Sequence, residues 1–96
     1  MMEYYDAIPK RITEALERYE HGGVLPGHFM QAVLSNNLFY AVSMADDRNY
    51  PILKQIVHYV YNEMPGNCWG SRDVVNTWVL AKQAEREAKE AAGLTN

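Results

Sequence analysis

Apolar residues recur along this chain three and four positions apart, the spacing of helices, and nowhere in the sustained apolar–polar alternation of a strand. Over residues 9–19, Ile12, Ala15, Leu16 and Tyr19 share one face, and Pro9 suits a first helical turn, where a missing N–H is no loss. Gly22-Gly23 ends that helix, and Val24-Leu25-Pro26-Gly27 reads as a turn. A second helix starts near Gly27 and carries Phe29, Ala32 and Val33. The short polar run Ser35-Asn36-Asn37 competes for backbone hydrogen bonds, so it predicts a boundary. Ser35 is then the N-cap of a third helix over 36–45, with Leu38, Phe39, Val42 and Ala45 as its apolar positions. One continuous helix over 27–45 is the alternative.

Asp46-Asp47-Arg48-Asn49 reads as a turn, with Asn49 as the cap of a helix that carries Tyr50 and Pro51 in its first turn and runs to about Glu63. Its stripe of Ile52, Leu53, Ile56, Val57 and Val60 is the clearest in the chain. After a Pro65–Gly70 loop, Ser71 is placed to cap a last helix, and Asp73 suits its positive end. That helix carries Val74, Val75, Trp78, Val79 and Ala81. Beyond Lys82 it loses its large apolar residues and becomes an Ala/Glu/Lys/Arg stretch ended by Gly93. Tyr59-Val60-Tyr61 alternates too briefly for a strand, and nothing repeats. The pattern predicts an all-α fold: a compact bundle of four to five short helices, with the last two as its central pair. Residues 1–82 form a single helical domain and 83–96 a charged helical extension.

Composition narrows the function classes. At 96 residues the chain makes one domain, and such a domain buries roughly 60–65% of its unfolded surface, so good packing or association matters. A net charge of −3, with both signs interspersed, argues against direct nucleic-acid binding, which needs a clustered basic face. The longest apolar runs are far too short to span a membrane. The first eight residues mix acids with tyrosines and do not read as a signal peptide. A single cysteine forbids an internal disulfide and suits a reducing compartment, so a cytoplasmic protein is expected. A homo-oligomer stays possible.

Candidate chemistry is sparse. His21, His28, His58 and Cys68 lack the close spacing of a zinc set, so no metal or other cofactor is expected. Cys68 precedes a helix start, where a thiol pKa can fall, but a Cys beside Trp in a corner loop is more often a small buried hydrophobe. Asp46 and Asp47 are adjacent and diverge on any regular backbone, which removes them as an acid/base pair. The stretch from Tyr61 to Ser71 holds Asn62, Pro65, Gly66, Cys68, Trp69 and Gly70, and is either a rigid corner or a binding site. Ser71 and Arg72 at a helix start, beside the Trp69 indole, could hold an anion and stack a base. Asn37, Asn62 and Tyr61 complete the candidate ligand- or partner-binding set. With no catalytic motif, the protein reads as non-enzymatic. Its seven tyrosines supply the aromatic area common at recognition surfaces.

The run Pro26-Gly27-x-Phe29-x-x-Ala32-Val33-Leu34-x-Asn36-Asn37-Leu38, then Ala45-Asp46-Asp47, Tyr61-Asn62-x-x-Pro65, Cys68-Trp69-Gly70-Ser71 and Trp78, resembles a family of small proteins of tailed bacteriophages and prophages. The likeness covers roughly residues 12–82. It departs at Asn37, where the family is expected to carry Asp, so no role needing a charge there carries over. The resemblance implies a phage accessory protein in the host cytoplasm that acts by stoichiometric binding to a host bacterial protein or defence complex, in the manner of anti-CRISPR and other anti-defence proteins. Two alternatives are a sponge for a small nucleotide-like immune signal and a minor structural or regulatory phage protein.

Overall fold

The computed structural model describes residues 2–94; Met1 of the expected domain and Thr95 and Asn96 of the expected extension lie outside the described residues. These residues form α1 (Met2–Tyr5), α2 (Lys10–Gly22), α3 (His28–Leu34), α4 (Leu38–Met44), a 3-10 turn (Tyr50–Ile52), α5 (Leu53–Glu63) and α6 (Arg72–Leu94). The protein is an all-α bundle, with no strand among the described residues. Its last helix is not short: α6 has 23 residues, roughly 35 Å at 1.5 Å per residue, and it continues through Gly93.

The core is built from one face of each main helix. Ile12, Leu16 and Tyr19 of α2, Phe29, Met30 and Leu34 of α3, Ile56 and Val60 of α5 and Val75 of α6 are buried together with Ile8, Met64 and Cys68. Trp78 and Val79 pack against this cluster half-buried. Val57, counted with the α5 stripe in sequence, is exposed. The expected central pair is corrected, because α6 lies against α2 rather than α5, while α1 lies along α5. Gly23 explains the approach. It ends α2 in the left-handed region at φ 66°, and a Cβ there would meet Lys82 Cβ at 2.5 Å. Trp78 Nε1 locks the pair from the other side by donating to the Tyr19 carbonyl at 3.1 Å.

Two caps differ from expectation. Ser35 closes α3 rather than opening α4. Asn36 turns left-handed at φ 59°, and the Asn37 and Asn36 N–H groups return to the Ala32 and Val33 carbonyls at 2.9 and 3.1 Å, a Schellman ending. Asn37 is the N-cap of α4, its Oδ1 accepting from the Tyr40 N–H at 3.2 Å. The alternative of one helix over 27–45 therefore fails at Asn36. Asn49 caps nothing with its side chain. It is buried, and its N–H donates to Asp46 Oδ1 at 2.8 Å while its Oδ1 accepts from Arg11 Nη2 at 3.5 Å. Ser71 does cap α6, accepting from the Val74 N–H at 3.1 Å.

Candidate functional site

The corner between α5 and α6 is tied down at every turn. Pro65 to Cys68 closes a tight turn, the Cys68 N–H donating to the Pro65 carbonyl at 3.2 Å. The Cys68 thiol points to the same carbonyl at 3.1 Å, and the Cys68 carbonyl accepts from the Tyr19 hydroxyl at 2.7 Å. Gly70, at φ 125°, donates its N–H to the Leu34 carbonyl at 2.8 Å. Trp69 lies half-buried with Nε1 directed at the Met64 carbonyl, 3.4 Å away, and its ring against Tyr61 at 5.5 Å between centroids. Three helices, α2, α3 and α5, thus fix one loop, and the Cys68 carbonyl, the Gly70 N–H and the Trp69 indole N–H are directed at protein partners.

That geometry settles what Cys68 can do. It is fully buried, and burial, with the Glu20 carboxylate adding, pushes its pKa up to about 11. A thiol held neutral in a dry setting is not a nucleophile near neutral pH. Among the described residues no three His, Cys, Asp or Glu side chains come together where a metal could sit.

The six residues singled out in sequence divide among four places. Tyr61 and Trp69 pack against each other at the corner, their rings tilted by 48°. Asn62 is exposed on α5 and donates to the Tyr5 hydroxyl at 3.2 Å. Ser71 is spent on its cap. Asn37 and Arg72, 35 positions apart in sequence, meet across a groove of about 520 Å³. His28, Gln31, Tyr40 and Asn76 line it with them. Trp69 is not part of that groove, so the aromatic plane and the guanidinium expected to work together face different surroundings.

A scan against protein-family models, a search of curated proteins and a search of solved structures each returned no match.

The surface holds a feature that the sequence showed only as the apolar positions of a third helix. Helix α4, Leu38-Phe39-Tyr40-Ala41-Val42-Ser43-Met44, contains no charged residue and buries only Ala41. Phe39 is 87% exposed and Leu38 66% exposed, and Tyr40, Val42 and Met44 are exposed as well. On a helical wheel Leu38, Val42 and Phe39 form one outward stripe. A helix apolar all round is either buried on all sides or missing a partner. That signal was present in the sequence, since a seven-residue helix flanked by turns is hard to enclose in so small a domain. The groove residues His28, Gln31, Tyr40 and Asn76 carried no such signal, because their meeting depends on where α6 crosses α3.

Proposed function

We propose that the protein acts by stoichiometric binding of another protein, without turnover, and that α4 is its docking face. The observation that supports this is the uncovered stripe of Leu38, Phe39 and Val42 on a helix without a single charge. Scattered exposed apolar residues are ordinary. A contiguous stripe headed by an almost fully exposed Phe marks an interaction surface. Aromatic anchors of this kind supply most of the energy of protein interfaces when a partner pocket encloses them.

The resemblance supplies the partner class: a host bacterial protein or defence complex met in the host cytoplasm. No helix among the described residues is long and apolar enough to cross a membrane. The corner at Trp69 is architectural in this reading, and the expected binding role of Tyr61, Trp69 and Ser71 passes to α4.

The test compares wild type with Leu38→Glu/Phe39→Glu in pull-downs from bacterial lysate and in measurements of solution mass. Both side chains are exposed, so the double variant keeps its melting temperature. A specific protein retained by wild type and lost by the variant bears the reading out. Capture that persists in the folded variant refutes α4 as the docking face. A wild-type dimer that the variant dissociates assigns the face to a second copy of the chain.

A further inference from the structure

The groove between α3, α4 and the start of α6 has a donor inventory that its surroundings do not use. Arg72 is exposed at its rim and forms no ion pair among the described residues. Asn37 commits its side-chain oxygen to the Tyr40 N–H, which leaves its amide N–H groups as donors. Gln31 is held in place by its own Nε2, which donates to the Pro26 carbonyl at 2.7 Å. The His28 ring, the Tyr40 hydroxyl and the Asn76 amide complete the polar wall. No Asp or Glu lines the groove, although acids outnumber bases in this chain by 12 to 9. Leu25, Ala32 and Val75 give it an apolar side.

We propose that this groove binds a small phosphate-bearing molecule, with Arg72 on the phosphoryl group and the apolar side against the organic part. A guanidinium presents paired N–H donors that match phosphoryl oxygens, and neighbouring amide and hydroxyl donors complete such a cradle. At about 520 Å³ the space accommodates a molecule of mononucleotide size. Another hollow, between α2 and α3, shows the contrast. It holds Arg11 together with Asp46, so it carries its own counter-charge. The proposal is independent of α4 as a docking face, since the stripe of Leu38, Val42 and Phe39 points away from the Asn37–Tyr40 side of the helix.

The probes are adenosine 5′-monophosphate and inorganic phosphate, titrated separately at matched ionic strength and followed by amide NMR shifts. The expected result is shifts confined to residues around Asn37, Arg72 and Asn76, with a Kd at or below about 1 mM for at least one probe. Equal binding of both probes identifies the phosphoryl group as the recognised part. Binding of the nucleotide alone adds the apolar side. Arg72→Glu, an exposed substitution that keeps the fold, should raise the Kd by about tenfold or more, since a charge-assisted contact becomes a repulsion. Asn76→Asp, which brings a carboxylate to the groove, should act in the same direction. The proposal is overturned if neither probe shifts the groove, or if Arg72→Glu leaves the titration unchanged.

Discussion

Tyr19 carries three roles at once. Its ring is fully buried in the core, its hydroxyl holds the Cys68 carbonyl, and its own carbonyl accepts from Gly23 and from Trp78. Tyr19→Phe keeps the ring and leaves the Cys68 carbonyl without its partner, so it should cost about 1–3 kcal/mol, read as a lower denaturation midpoint. An unchanged midpoint would show that the hydroxyl does not fasten the corner. The same contact gives a pH dependence. The Cys68 thiol keeps its proton in the folded state up to about 11, against an ordinary value of 9. Burial pushes the Tyr19 hydroxyl upward too, with Cys68 adding. The folded state therefore holds more protons than the unfolded one once pH passes the ordinary thiol range. Stability is fully present below pH 9 and declines as pH rises toward 11. Melting temperatures across that window should fall for wild type and fall less steeply for Cys68→Ala. Parallel slopes would mean that the thiol does not sit in a dry setting.

Elements were legible in the sequence where one helix face faces one core. Ile12, Leu16 and Tyr19 of α2 and Ile56 and Val60 of α5 are buried as their spacing implies. The caps were legible only in part. Ser71 lies directly before a strong helical pattern, and its side chain bonds the Val74 N–H. Ser71→Ala should cost about 0.5–2 kcal/mol, seen as a lower midpoint with no change in solution mass. Ser35 and Asn37 are equally good cap residues on paper. The choice between them rests on Asn36 taking the left-handed conformation, which asparagine tolerates and which spacing cannot reveal. Helix packing was the least legible. The closeness of α2 and α6 depends on Gly23 having no Cβ where Lys82 passes. Gly23→Ala combines that clash with a left-handed backbone, which alone costs a side-chain-bearing residue roughly 1–2 kcal/mol. It should destabilise by more than Ser71→Ala does in the same denaturation series, and a smaller effect would mean that the two helices separate freely.

The whole molecule measures 49 × 27 × 21 Å, with a radius of gyration of 14.7 Å, against about 13 Å for a compact 100-residue domain. The excess comes from α6, because every residue from 83 to 93 is exposed. Its inner half supplies Val75, Trp78 and Val79 to the core, and its outer half offers no large apolar side chain up to Gly93. Lys82 passes against Gly23 of α2. It lies over the Trp78 ring at 4.8 Å and pairs with Glu85 at 3.2 Å, a contact exposed on the Glu side. Exposed pairs of this kind contribute about 0–1 kcal/mol. A chain ending after Lys82 should therefore keep its thermal midpoint to within the loss of that one pair. Its radius of gyration in small-angle scattering should fall toward the compact value, and its helical signal should drop only by the helix removed. A marked loss of stability would place structural contacts beyond Lys82. A change in solution mass would make the outer half of α6 an assembly element. If stability and mass both hold while partner capture is lost, the projecting rod belongs to the binding surface together with α4.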